Sequence, residues 1–147
     1  MRRLSSVLFV LLSIVGFTCT ASAQQVGSTG KQDSGFFLEQ NYPNPFNPET
    51  KIPFVLDEAL FSGGQSVVVS VRIYNVLSQF ITAPTALNHP MGESVPVLDL
   101  EYPFPGRWEA YWDGRDELGR HVASGVYFVQ LAVNGRRPQV RKMFVTK

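Results

Sequence analysis

The sequence contains one cysteine, Cys19, and two histidines, His89 and His121. A single cysteine cannot form an internal disulfide, and it cannot supply the set of thiolates that a structural zinc site requires. Neither histidine belongs to a group of serine, cysteine or paired carboxylates of the kind that catalytic sites use. The composition therefore gives no support to a thiolate metal site or to histidine-based catalysis.

Motifs for nucleophilic and phosphate-binding chemistry are also missing. The pair Ser124-Gly125 is not part of a Gly-x-Ser-x-Gly nucleophile elbow. The stretch SGGQS at 62–66 lacks the lysine and the following helix of a phosphate-binding loop. We therefore expect a protein that is not an enzyme and that holds no cofactor.

The amino terminus has the three parts of a secretory signal peptide. Two arginines precede the apolar run VLFVLLSIVGF, and ASA at 21–23 follows with the small residues of a cleavage site. The apolar run is shorter than the ~20 residues that a membrane span needs. We expect residues 1–23 to be removed between Ala23 and Gln24, with Ala21 as the second small residue, which leaves no integral membrane segment.

The mature chain is expected to be nearly neutral. Cleavage removes two arginines and Cys19, which lowers the formal net charge from +1 to −1. That balance gives no long-range attraction to nucleic acid or to an anionic membrane. Residues 24–35, QQVGSTGKQDSG, are polar and rich in glycine and serine, so we expect a flexible tether. The domain proper is expected at 36–147.

From Phe36 onward the sequence pattern is that of β-strands. In SVVVSVRIY at 66–74, valine and isoleucine alternate with mixed residues, which predicts a strand that is buried on one face. Asn134-Gly135 favours a hairpin turn, and LDEALF at 56–61 could form a single helical turn. Seven short strands are predicted, at 50–56, 66–74, 79–83, 94–98, 107–112, 126–133 and 140–146. The expected fold is an all-β, antiparallel two-sheet sandwich of about seven strands.

The stretch WDGRDELGR at 112–120 places three carboxylates close together, which raises the question of calcium. Its spacing differs from that of an EF-hand loop, in which oxygen ligands alternate and a closing glutamate follows. We instead expect Asp113 to accept hydrogen bonds from backbone amides while Gly114 and Gly119 adopt positive φ. No metal is therefore expected.

Two further features have a structural and a functional interpretation. Trp108 and Trp112 lie four positions apart, on one face of a strand together with Ala110. They could form a platform for sugar rings, but their large area favours the core, with Trp112 as its anchor. Within NYPNPFNPET at 41–50, residues 41–48 are expected to form a stiff, polyproline-like crossing between sheets that needs no ladder partners.

Three blocks of the sequence resemble one family. They are FLEQNYPNPFNPETKIPFVL at 37–56, VRIYNVLSQFI at 71–81 and WDGRDELGRHVASGVYFVQLAVNGRRPQVRKMFVTK at 112–147. In this order they resemble the type A carboxy-terminal sorting domain of the type IX secretion system. The last block is also similar to the immunoglobulin-like domain of flagellar hook-capping proteins.

The resemblance implies an immunoglobulin-like sandwich that serves as a transport address. In similar proteins the signal peptide directs export across the inner membrane. The outer-membrane secretion translocon then recognises the domain in the periplasm, and the protein crosses the outer membrane to the cell surface or the medium. A sortase-like peptidase often removes the domain afterwards. The positions that match the family are Gly125, Tyr127, Arg141, Lys142 and Lys147.

The final strand is expected to present a free edge to which the translocon adds a strand, while the basic residues contribute charge. Domains of this family usually follow a large passenger, whereas only the tether at 24–35 precedes the domain in this sequence. An immunoglobulin-like assembly, adhesion or carbohydrate-binding module is therefore the alternative function.

Overall fold

The computed structural model describes residues 34–147, which form two antiparallel β-sheets and no α-helix. The predicted all-β, two-sheet class is confirmed. The expected signal peptide, its cleavage site and most of the tether lie outside the described residues. The strands are β1 (Phe36–Leu38), β2 (Thr50–Leu56), β3 (Val67–Asn75), β4 (Phe80–Thr82), β5 (Thr85–Leu87), β6 (Leu100–Tyr102), β7 (Gly106–Trp112), β8 (Gly125–Val133) and β9 (Gln139–Val145).

The strands divide between two sheets. Sheet 1 has the order β1-β2-β7-β5, and sheet 2 has the order β4-β3-β8-β9, with β6 paired to the first residues of β3. The hairpin predicted at Asn134-Gly135 joins β8 to β9, and Tyr127 pairs with Met143 in its register. A single 3-10 turn, Glu58–Phe61, follows β2 at the place where a helical turn was expected.

One strand prediction is wrong. Residues 94–98 were expected to be a strand, but they form only an isolated bridge, between Pro96 and Thr85. They close one seam of the sandwich instead: the Val95 carbonyl accepts from the Ala86 amide at 2.7 Å, and the Val97 carbonyl accepts from the Val71 amide at 2.7 Å. The segment thus bonds to both sheets without belonging to either ladder.

Alternating side chains from both sheets meet in a single core. Phe54 of sheet 1 contacts Tyr102 of sheet 2, with ring centroids 5.5 Å apart. Trp112 is 2% exposed and lies 5.7 Å from the Tyr127 ring. Ala110 is fully buried and Trp108 packs against the same core, which confirms the expected shared face of these residues.

The proline-rich stretch is held by strand-like pairing, so the expectation that it needs no ladder partners is wrong. Tyr42 exchanges two backbone hydrogen bonds of 2.9 Å with Lys51, and Phe46 forms a parallel bridge with Val145. The buried Asn41 side chain holds the two ends of this stretch together by donating to the Thr50 hydroxyl at 3.0 Å. The peptide bonds that precede Pro43, Pro45 and Pro48 are cis.

The loop after Trp112 has the structural form that the sequence predicts. The Asp113 carboxylate accepts from the Arg115 amide at 3.0 Å, while Gly114 and Gly119 have φ of 72° and 77°. A Cβ at Gly114 would lie 2.4 Å from the Pro48 carbonyl oxygen, so this position also requires glycine for close backbone approach. The described part of the chain holds no His, Cys, Asp and Glu cluster that could bind a metal ion.

Candidate functional site

Two of the sequence-predicted recognition residues lie at the start of β8. Gly125 is exposed and has φ of 152°. Tyr127 is 8% exposed, and its hydroxyl donates to the Ala123 carbonyl at 3.0 Å. Burial raises the pKa of Tyr127. Tyr127 therefore contributes its ring to the core, and Gly125 is the accessible member of this pair.

The basic residues near the end of the sequence differ in environment. The Arg141 Nε donates to the Leu38 carbonyl at 3.0 Å, and its guanidinium lies 5.3 Å from the Phe37 ring centroid. Lys142 and Lys147 are exposed, and neither forms an ion pair with another described residue. Arg141 thus holds β1 against β9, whereas the two lysines are accessible.

β9 is the edge strand of sheet 2, as expected, but this edge is only partly free, because the second half of β9 is already hydrogen-bonded. Residues 34–46, the amino-terminal strap, run beside it. The Phe46 amide donates to the Phe144 carbonyl at 3.0 Å, and the Thr146 amide donates to the Phe46 carbonyl at 2.9 Å. The Asn44 side chain accepts from the Phe144 amide at 2.9 Å.

Side-chain amides extend this cover along the strand. The Gln40 Nε2 donates to the Lys142 carbonyl at 2.9 Å. At the other end, the Gln139 Nε2 donates to the Phe36 carbonyl at 2.8 Å, and its Oε1 accepts from the Leu38 amide at 2.9 Å. These bonds join residues about a hundred positions apart. A partner could pair with the second half of this edge only after displacing the strap.

The outer side of sheet 2, called here the sheet 2 face, carries a row of large side chains. By register, Phe80, Tyr74, Phe128 and Lys142 lie across four neighbouring strands. Val140 and Phe144 flank this row on β9 and are 53% and 41% exposed. The face is aromatic, and its β9 members belong to the segment in which the sequence predicts recognition.

Two shallow cavities open on this face, one on each side of Tyr74. The first, of about 490 Å³, is lined by Tyr74, Phe128, Gln130 and Val140 among others. The second, of about 370 Å³, is lined by Arg72, Tyr74, Phe80, Leu98 and Asp99. Arg72 forms no ion pair with any described residue. The face therefore combines partly apolar hollows with two cations, Arg72 and Lys142, that form no ion pair with a described residue.

The outer side of sheet 1, called here the sheet 1 face, is polar and internally bonded. Arg107 donates to Glu39 at 2.9 Å and to Glu109 at 3.0 Å, and Glu109 also accepts a hydrogen bond from the Tyr42 hydroxyl. Hydrogen bonds, first from Tyr42 and then from Arg107, hold the pKa of Glu109 below its usual range. A hydrogen bond to Glu49 raises the pKa of Tyr111 to about 12.

The histidines have structural environments. His89 is 5% exposed, its Nδ1 accepts from the Met91 amide at 3.1 Å, and its Nε2 therefore donates to the Glu101 carbonyl at 2.8 Å. Both ring nitrogens are engaged in holding a loop beside Tyr102, 4.7 Å away. His121 is exposed and forms an isolated bridge with Arg115.

The sequence matches no known family profile, and no curated protein is similar to it in sequence. Among solved structures, the chain is similar to a part of PorZ, an essential bacterial surface component of the type-IX secretion system of human oral-microbiomic Porphyromonas gingivalis. The identity is 19%, the TM-score is 0.42, and the alignment covers 77% of this chain and 12% of that one. The similarity to PorZ is thus distant and concerns a small part of its length.

No helix among residues 34–147 is long and apolar enough to cross a membrane.

Proposed function

We propose that residues 36–147 are a sorting domain that directs an exported protein through the outer membrane by the type IX secretion route. The proposal rests on the order and length of the three resembling sequence blocks, and on an all-β fold of the class that the resemblance implies. Its partners would be the outer-membrane translocon and a sortase-like peptidase. The protein would pass through the periplasm to the cell surface or the medium.

The structural observation that supports the proposal is where the two ends of the described chain lie: one is beside the first residue of β9 and the other follows its last residue. The Gln139 side chain at the first residue of β9 donates to the Ser34 hydroxyl at 3.0 Å, and Thr146 follows its last residue. A strand of seven residues spans roughly 20 Å. A passenger joined ahead of Ser34 would therefore lie at the far end of the strand from Lys147, and would leave the basic end accessible.

The accessible lysines support charge as one part of the address. Lys142 and Lys147 are exposed, so an acidic receptor could reach them without unfolding the domain. Because the strap covers the second half of the β9 edge, the address is recognised as a folded surface in this proposal, and strand addition is not required.

The test is a reporter inserted after Gln25 of the full chain, produced in a bacterium that has this secretion system and in the same strain without the translocon. The reporter should reach the surface or the medium in the first strain and stay periplasmic in the second. Replacing Lys142 and Lys147 by alanine should retain it in the periplasm with the fold intact, because exposed charges contribute little to stability. The matched control replaces Lys51 and Arg137.

A wild-type fusion that stays periplasmic in the competent strain would contradict the sorting function. The immunoglobulin-like assembly, adhesion or carbohydrate-binding module would then be the better account. Normal export of the lysine variant would leave sorting in place and move the address elsewhere, with Gly125 as the next position to replace.

A further inference from the structure

Strand addition is hindered along both seams of the sandwich. The strap covers the second half of β9, and residues 94–97 bond to β5 and to β3. On β4, the Ile81 carbonyl already accepts from the Glu117 amide at 3.1 Å. Natural β-proteins cover their edges in this way to prevent unwanted pairing. Recognition of the folded domain therefore falls on its faces.

The sheet 2 face exposes large apolar side chains on two of its strands, β4 and β9, which lie at opposite ends of the sheet. Phe80 on β4 is 38% exposed, and the 53% and 41% exposed Val140 and Phe144 lie across the sheet on β9. Tyr74 and Phe128 fill the space between them. Aromatic residues grouped in this way are enriched at the centres of protein interfaces, because they bury much area at little cost in side-chain entropy.

This face carries both signs of charge, and its cations form no ion pair with a described residue. Arg72 and Lys142 lie two strands apart, roughly 10 Å in the direction across the sheet. The acids at its margin already accept hydrogen bonds within the domain: Asp99 from the Ser70 hydroxyl at 2.9 Å and Glu101 from the Ser66 hydroxyl at 3.0 Å. The cations, in contrast, have no ion-pair partner among residues 34–147.

We propose that the sheet 2 face is the docking surface for a folded protein partner that presents an apolar patch bordered by carboxylates. The inference rests on the proposed sorting function and names the surface by which the export machinery recognises the domain. Lys142 belongs both to this face and to the basic end of the sequence. It therefore links the proposed docking surface to the basic residues that the sorting proposal uses.

Two other occupants fit the face less well. In a symmetric pair of this chain, face to face, the same patch meets itself, so the unpaired Arg72 and Lys142 would be brought towards like charges. A glycan would stack best on rings that share a plane, but the Tyr74 and Phe80 ring planes are 69° apart. A protein partner with side chains of its own can fill the hollows beside such tilted rings.

The experiment uses the full chain with the reporter after Gln25. The face variant carries Arg72→Glu and Phe80→Ser, both remote in sequence from the terminus, so it tests a surface rather than a terminal sequence. The control variant carries Arg137→Glu and Phe104→Ser, which change exposed residues of the same types off this face. Surface reporter should fall about tenfold or more in the face variant, as loss of an interface hot spot does, and should be unchanged in the control.

Thermal unfolding of both variants separates docking from folding. If the double face variant melts well below the wild type, the single Arg72→Gln variant replaces it, since Arg72 is only partly buried and forms no ion pair with a described residue. Export of the face variant, or of Arg72→Gln in that case, at the wild-type level would overturn the inference and leave sorting intact. A wild-type fusion that stays periplasmic would overturn both.

Two measurements on the purified mature chain test the other occupants. Light scattering should give the mass of a monomer; a dimer that the face variant loses would assign the face to a second copy and contradict the proposal. Electrophoresis in gels that contain dextran or alginate should show no retardation. Retardation of the wild type but not of the face variant would assign the face to a glycan, and would also overturn the proposal.

Discussion

The two outer faces of the sandwich differ in what their charged groups contact. On the sheet 1 face, Arg107 is bonded to Glu39 and Glu109, and Glu109 is also bonded to Tyr42. On the sheet 2 face, Arg72 and Lys142 have no acidic partner in the described chain. A charge that is already in an ion pair has less interaction to offer a partner, so the contrast is consistent with the docking surface that we propose on the sheet 2 face.

Both faces depend on one core, and the largest expected effect comes from removing its anchor. Trp112 is 2% exposed, its ring lies 5.3 Å from Phe46, and its Nε1 donates to the Arg115 carbonyl at 2.9 Å. Trp112→Ala should lower the free energy of unfolding by about 3–5 kcal/mol. Urea unfolding measures this loss. An unchanged stability with loss of polysaccharide binding alone would instead make the tryptophans a sugar platform.

The next largest effect is expected at Arg141, whose side chain points to the opposite side of β9 from that of Lys142. Arg141→Ala removes a hydrogen bond to Leu38 and the contact with Phe37, and should cost about 1–2 kcal/mol. Lys142→Ala should cost less than about 0.5 kcal/mol, because the lysine is exposed. Equal losses of unfolding free energy in the two variants would contradict the role of Arg141 in holding the strap.

A smaller effect should mark the bonded sheet 1 face. Because the pKa of Glu109 is lowered in the folded state, its stabilising effect is present above the unfolded pKa of about 4.3 and is lost as the pH falls through the folded value. Glu109→Gln should therefore lower the melting temperature slightly at pH 7 and by less below about pH 4. Glu93→Gln, in an exposed loop, is the control. A Glu109→Gln penalty that grew with acidity would contradict this assignment.

The smallest expected effect is that of a chelator. Within the loop after Trp112, Asp116 accepts from the Leu118 and Arg120 amides and pairs with the Arg120 guanidinium at 2.8 Å. These hydrogen bonds, chiefly those from Arg120, lower the pKa of Asp116. Melting with and without EDTA should give the same midpoint. A fall of many degrees on chelation would show that the loop binds calcium.

Local sequence signals were sufficient for much of the fold. The alternation at 66–74 found β3, the Asn134-Gly135 turn found the β8–β9 hairpin, and the spacing of Trp108 and Trp112 placed both against the core. These features depend on residues within one strand or one turn. Their physical cause is therefore visible in a short window of sequence.

Features that depend on contacts between distant residues could not be predicted from local sequence signals. The strands β1, β5 and β6 have three residues each, too few to show an alternation. The pairing of Phe46 with Val145 joins segments about a hundred positions apart, and no local pattern records it. The sheet 2 face was missed in the same way: the mixed outer side of β3 was visible in sequence, but its register with Phe80, Phe128 and Lys142 was not.

The most direct test of the sorting account is the location and mass of the native protein after cell fractionation. If the protein is sorted as proposed, it is found on the cell surface or in the medium. Its chain then begins at Gln24, so that Cys19 is absent. Mass spectrometry of each fraction reads both quantities at once. A protein that accumulates in the periplasm, or that carries an acylated Cys19 or an intact Met1, would contradict the account.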